Sequence, residues 1–167
     1  MTDLTVVIIV LVAAYFIGAI PFGVIIGRLW RGVDIRSYGS GGSGATNVTR
    51  TLGPRAGATV FAADFAKGVS VIALSRYVMN GDPWLVAAAG TVAVLGHMFP
   101  VYIKFKGGKG VSTGFGALAV ISPIAAVIAL VGVLIIWSHR SNVDRLAKGD
   151  ESRLENKPSP RRAQRTP

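Results

Sequence analysis

LTVVIIVLVAAYFIGAIPFGVIIG, residues 4–27, contains no charged side chain. A helix rises about 1.5 Å per residue, so roughly 20 such residues cross the ~30 Å hydrocarbon layer of a bilayer. Two further stretches, residues 83–103 and 111–139, are equally free of Asp, Glu, Lys and Arg. The chain of 167 residues is 51% hydrophobic and 16% charged, with a mean hydropathy of +0.52. That balance argues against a water-soluble domain. The expected fold is all-α, a polytopic membrane bundle of about five segments, one or two of them short. Asp3 and the lack of Lys or Arg ahead of the first stretch, together with its length, argue against a cleaved leader. It reads as a retained first span.

Charge sets the expected orientation. Residues 28–55 form a polar stretch with five arginines against one acid, Asp34, so the positive-inside rule places this loop in the cytoplasm and residue 1 outside. The second apolar segment, residues 56–79, carries Asp64 and Lys67 at i, i+3 on one helix face. Such charges are costly in hydrocarbon. They read either as a mutually neutralised pair or as part of a site near the membrane surface. The turn Asn80-Gly81-Asp82-Pro83 returns the chain through residues 84–103 to Lys104, Lys106 and Lys109. A single crossing by residues 111–137 would carry the basic tail outside. Ser122-Pro123 offers a break, giving short segments 112–122 and 123–137 that return the tail inside. Residues 1–156 read as one transmembrane domain, and residues 157–167 as a disordered basic end.

The net charge is +10, yet the basic residues lie between and after hydrophobic segments, which disfavours nucleic acid as a partner. Anionic lipid or a phosphorylated substrate fits better, although topology alone also demands such charge. The absence of cysteine excludes Cys thioesters, disulfides and thiolate metal sites.

Three polar clusters fall on the same expected side. In residues 39–50, GSGGSGATNVTR, Gly39, Gly41 and Gly44 let successive N–H groups converge on phosphate oxygens. Ser40, Thr46 and Asn47 add donors there, and Arg50 adds a bidentate charge. A flexible linker is the alternative. Residues 104–113, KFKGGKGVST, place Lys104, Lys106 and Lys109 around Gly107, Gly108 and Gly110. The spacing is not that of a nucleotide-binding P-loop. This is a second glycine turn suited to an anion, or a positive-inside anchor. In residues 138–151, SHRSNVDRLAKGDE, helical spacing puts His139 and Asn142 on one face. His97, in GHMFP, reads as a satisfied buried histidine rather than a base. No metal-ligand cluster or Ser-His-Asp signature is present, so neither a metal nor a cofactor is expected. Catalysis would rest on orientation and charge stabilisation.

The segments YFIGAIPFGVIIGRL, DIRSYGSGGSGATNVTRTLG, DFAKG, GHMFPVYIKFKGGKGVST and SHRSNVDRLAKGDESRL together resemble the bacterial acyl-phosphate:glycerol-3-phosphate acyltransferase family over about residues 15–154. The resemblance implies transfer of a fatty acyl group from acyl phosphate to the 1-hydroxyl of glycerol 3-phosphate, forming lysophosphatidic acid at the inner membrane of a bacterium. It assigns Ser40 and Arg50 to phosphate handling and catalysis. The glycine-lysine motif falls to glycerol 3-phosphate, and His139, Asn142 and Glu151 match the third motif. Two departures stand out. Gly42 and Ser43 occupy positions where the family commonly has Asn-Ile. Residues 123–137 also look like the start of one span joined to the end of another, as if a helical hairpin of about 30 residues were missing; removing two crossings leaves the side of the tail unchanged. A shortened homologue that binds phosphorylated lipid or an unknown protein partner without turnover is the rival reading. A channel or transporter has little support, because the polar residues cluster at one face.

Overall fold

The computed structural model of the chain describes residues 3–141 and 145. Seven helices are present among them: α1 Leu4–Ala19, α2 Phe22–Arg31, α3 Ala45–Leu52, α4 Pro54–Val78, α5 Pro83–Met98, α6 Val111–Ile121 and α7 Pro123–Ser138. Single 3-10 turns occupy Ile35–Ser37 and Val101–Ile103. Three segments are long and apolar enough to cross a membrane, Leu4–Arg31, Pro54–Val78 and Pro83–Ile103, while α6 and α7 are shorter apolar helices. The five expected segments are therefore all helical.

Three details differ from the sequence reading. The first span is broken at Ile20-Pro21, because proline has no N–H to donate to the preceding turn. Arg28 and Arg31 are not loop residues but the last turn of α2, which a left-handed Gly32 closes. The expected polar loop also contains a helix, α3, separated from α4 by Gly53 at φ +94° with Pro54 opening the next helix. The break at Ser122-Pro123 lies where expected. Ser122 is extended, and its hydroxyl accepts the Ala125 N–H at 3.3 Å, capping α7.

Among the described residues, those up to Val127 form one compact unit and those from Ile128 onward another. In the first, α1 packs along α5, and α4 packs against α3 and α6. Lipid offers no hydrophobic drive between helices, so close approach of small residues does that work. Ala14, Ala89 and Ala93 are buried with Val71 between α1, α4 and α5. A Cβ on Gly18 would overlap the Ala93 carbonyl, and one on Gly96 the Tyr15 carbonyl. Between α4 and α6 the fit is reciprocal: Gly68 abuts the Thr113 carbonyl, and Gly116 abuts that of Phe65. Leu4, Ile8, Ile9, Val12 and Phe16 are exposed along α1, the surface a lipid environment covers. Gly116→Val should force α4 and α6 apart and destabilise the protein by about 1–3 kcal/mol, typical of overpacking; thermal unfolding in detergent checks this.

In the second unit, α7 continues from Ile128 through Ser138 with its large apolar side chains exposed. Arg140 closes it by donating to the Trp137 carbonyl at 3.1 Å and lying 4.6 Å from the Trp137 ring.

Candidate active site

The first glycine cluster is an ordered loop rather than a flexible linker. Gly39 and Gly41 have φ of +58° and +73°, which a side chain would strain. The loop is wound around buried Asn47. Its carbonyl accepts the Ser40 N–H at 2.9 Å, and its amide donates to the carbonyls of Ile35, Tyr38 and Gly42 at 2.9–3.0 Å. Expected as a substrate donor, Asn47 thus has its polar capacity turned inward to the loop. Ser40 is left with its backbone fixed and its side chain exposed. Thr46 and Arg50, one turn apart on α3, are exposed as well and line an open hollow of about 590 Å³ with Phe61 and Gly57 of α4.

An ion pair not foreseen from sequence anchors the same loop. Asp34 caps the Ile35–Ser37 turn, accepting the Arg36 N–H, and takes the Arg36 guanidinium in a two-point contact of 3.0 and 2.6 Å. Arg36 then donates to the Ile103 carbonyl at 3.0 Å. The signal was available: one acid two residues before an arginine, among five arginines. The hydrogen bonds from Arg36 hold the Asp34 carboxyl down at about 2, with burial opposing and the charges of Arg36 and Arg28 assisting. Because the folded value lies below the usual 3.8, the ion pair's stabilisation is complete above that value and is lost as pH falls through about 2. Asp34→Asn should lower the melting temperature at neutral pH and flatten its pH dependence between 4 and 2, read by thermal unfolding across pH.

The second cluster lies against the first. Ser43 N–H donates to the Gly107 carbonyl at 3.3 Å, and a Cβ on Gly44 would stand 3.8 Å from the Gly108 Cα. The two glycine motifs therefore form one surface. Lys104 and Phe105 both hold left-handed φ, 56° and 60°, a strained pair outside glycine. They swing the chain from the Val101–Ile103 turn into Gly107, and Lys104, Lys106 and Lys109 are exposed around it. Gly110, at φ +77°, opens α6 and is packed against Val94 and Met98. The three exposed ammonium groups beside the glycine turn, and the exposed Arg50 guanidinium on α3, are side chains of the kind that pair with anionic groups.

The third cluster is described only in part. His139 belongs to the second unit, where its Nδ1 lies 2.9 Å from Ser138 Oγ and 3.0 Å from the Ile135 carbonyl. In the tautomer with hydrogen on Nδ1 the ring donates to that carbonyl, which only accepts, and Nε2 then keeps its lone pair. Asn142 and Glu151 lie outside the described residues, as does the tail 157–167.

Asp64 and Lys67, which the sequence left as a neutralised pair or a site, are a buried ion pair at 2.9 Å, 1% and 4% exposed. Lys67 also donates to the Ile20 carbonyl at 3.0 Å, freed by the break before Pro21, and lies 5.7 Å from the Phe22 ring. His97 is buried, as expected, but beside Asp64 and under Gly108.

The fold and this surface define a multi-pass helical membrane protein with paired glycine loops suited to anionic groups. The family model for glycerol-3-phosphate acyltransferase matches residues 8–135. A glycerol-3-phosphate acyltransferase of Anaeromyxobacter dehalogenans (strain 2CP-1 / ATCC BAA-258) is 48% identical over 129 residues, which are 75% of this chain and 64% of that protein. The chain thus spans just under two thirds of the length of that relative. One from Halalkalibacterium halodurans is 34% identical over 194 residues, covering 87% of this chain and 94% of its own. The crystal structure of PlsY (YgiH), an integral membrane glycerol 3-phosphate acyltransferase in its glycerol 3-phosphate form, is similar with a TM-score of 0.69 and 34% identity, over 89% of this chain and 96% of that one. Its lysophosphatidic acid form gives 0.68 and 33%, over 89% and 95%. The chain belongs to the glycerol-3-phosphate acyltransferase family.

Proposed function

We propose that the protein transfers a fatty acyl group from acyl phosphate to the 1-hydroxyl of glycerol 3-phosphate, giving lysophosphatidic acid and inorganic phosphate for phospholipid synthesis. The observation that carries this reading is the junction of the two glycine loops at Ser43 N–H and the Gly107 carbonyl, with three exposed lysines on the second loop and exposed Arg50 on the helix that follows the first. Acyl phosphate is already activated, so no protein nucleophile is needed. The substrate hydroxyl attacks the acyl carbon and the bond from that carbon to the phosphate oxygen breaks. The proton passes to a substrate phosphate or, as the resemblance to the family implies, to His139. Ser40 and Arg50 hold the departing phosphate, loop amides hold the oxyanion, and Lys106, Lys109 and the Gly107–Gly110 backbone hold glycerol 3-phosphate. Asn142 and Glu151 complete the third motif in this reading.

The loops belong to the cytoplasmic face of a bacterial inner membrane, with residue 1 outside, on the strength of the arginines after the first span and the lysines after the third. The alignment with the Halalkalibacterium relative, 194 residues against a chain of 167, is longer than the chain itself and so opens gaps in it. That supports segments present in the relative and missing from this chain; the sequence pattern puts the missing hairpin near residues 123–137, and its loss is the ground for the second reading, a homologue that binds phosphorylated lipid or a partner without turnover. The deciding experiment supplies purified protein in lipid with radiolabelled glycerol 3-phosphate and palmitoyl phosphate, with acyl-CoA as the comparison donor. Lysophosphatidic acid formed from acyl phosphate alone supports the transferase; none from a folded, monodisperse sample supports the binding reading.

A further inference from the structure

Beneath the second glycine loop lies a group of polar residues that the proposed chemistry does not use. His97 is buried near the end of α5. Its Nδ1 faces Thr113 Oγ1 at 3.3 Å and Asp64 Oδ1 at 3.5 Å. Neither oxygen of the Asp64 carboxylate has a hydrogen bond among the described residues; Lys67 balances its charge from 2.9 Å. Nδ1 thus lies on the edge of the ring that faces Thr113 and Asp64, and Nε2 lies on the far edge. That far edge lies directly under Gly108. A Cβ on Gly108 would overlap Nε2 and come within 3.0 Å of Cε1 and 3.2 Å of Cδ2. The Gly108 N–H donates to the His97 carbonyl at 3.2 Å, and a Cβ on Gly107 would overlap that carbonyl too. Both glycines are thus seated on one residue, through its backbone and its ring.

We propose that His97 is a positioning residue for the glycine-lysine loop. Asp64, with Lys67 behind it, and Thr113 fix the angle of the imidazole, and the imidazole fixes the height at which Gly107 to Gly110 present their N–H groups. Lys67 extends the device to the first span through the Ile20 carbonyl. The loop is entered through two non-glycine residues at left-handed φ, held by backbone hydrogen bonds from Phe105 to Pro100 and from Lys106 to Ile103; past them, the His97 carbonyl and ring are what Gly107 and Gly108 rest on. The kinetic consequence rests on reading this loop as the glycerol 3-phosphate site; the structural consequence does not.

The test exploits the contact itself. Gly108→Ala places a methyl against the ring, and should raise the KM for glycerol 3-phosphate about tenfold with kcat changed less than about twofold. His97→Asn keeps a donor where Nδ1 stands but removes Nε2 and Cε1. It should raise KM about fivefold by taking away the floor. In the double variant the methyl fills the vacated space, so KM should lie below that of Gly108→Ala alone, a strong departure from additivity. A double variant whose KM equals the product of the two single effects overturns the proposal, and so does His97→Asn with the KM of the parent.

The chain lacks cysteine, which permits a second, activity-free readout. A nitroxide on Phe105→Cys should become more mobile when His97→Asn or Thr113→Val is added, while one on Tyr77→Cys, exposed at the end of α4, should not change. Thr113→Val keeps the shape of the side chain and serves if His97→Asn does not fold. Equal mobility at Phe105 with and without Thr113→Val, in folded protein, also overturns the proposal. Should the parent form no lysophosphatidic acid, the transferase reading fails, and the nitroxide result still decides the role of His97.

Discussion

Arg50→Ala should lower acyl transfer about a hundredfold or more while leaving the melting temperature within about a degree or two, because the guanidinium acts on charge that develops at the leaving phosphate and supports no part of the fold. Its surroundings justify both halves of that expectation. Arg50 sits in the last turn of α3, exposed at the hollow it shares with Thr46 and Phe61, and makes no ion pair or hydrogen bond among the described residues. The helix beneath it is fixed independently by Asn47 and by the Gly53-Pro54 junction. Arg50→Lys should recover part of the rate, since an ammonium keeps the charge but not the two-point fork. Kinetics with saturating palmitoyl phosphate, with unfolding monitored on the same samples, provide the check. Full activity in Arg50→Ala places the phosphate site elsewhere.

Lys67→Met should be the most destabilising single change, about 3–5 kcal/mol, because it leaves the Asp64 carboxylate buried and without its counter-charge. Asp64 is 1% exposed and its oxygens lack any hydrogen bond among the described residues; Lys67 stands at 2.9 Å, and His97, at 3.5 Å, is too far to replace it with a hydrogen bond. The change also removes the donor to the Ile20 carbonyl at the break in the first span. The double variant Asp64→Asn with Lys67→Met should recover much of the loss, since a neutral amide of the same shape needs no counter-charge. Urea or thermal unfolding in a fixed detergent separates the cases. A double variant no more stable than Lys67→Met would mean that the Ile20 contact, and not the charge balance, is what Lys67 supplies.

Local chemistry made much of the fold legible. Uninterrupted apolar stretches marked the membrane segments, because only a helix satisfies its own backbone in lipid. Ser122-Pro123 marked the boundary between α6 and α7, because proline cannot continue the helix before it. Of the glycines singled out in the two loops, Gly39, Gly41 and Gly110 hold a positive φ, whereas Gly44, at φ −83°, Gly107 and Gly108 do not. The Ile20-Pro21 break carries the same proline signal, but within an apolar run it was hidden by the hydropathy around it.

Residue type and spacing alone determined that this chain is a helical membrane protein whose arginines and lysines gather beside glycine loops, because hydropathy and charge act locally along the chain. Only the tertiary structure decided what each polar group faces. Asn47 carries the same donors whether it meets a phosphate or a loop, and packing turned it to the carbonyls of Ile35, Tyr38 and Gly42. Arg36 looked like one more topological charge until the fold brought Asp34 and the Ile103 carbonyl to it. His97 lies 33 residues from Asp64 and 11 from Gly108 in sequence, and no periodicity links the three. Their meeting depends on α5 packing against α4 and on the turn of the chain after Phe105, contacts distant in sequence that burial of the whole bundle brings together.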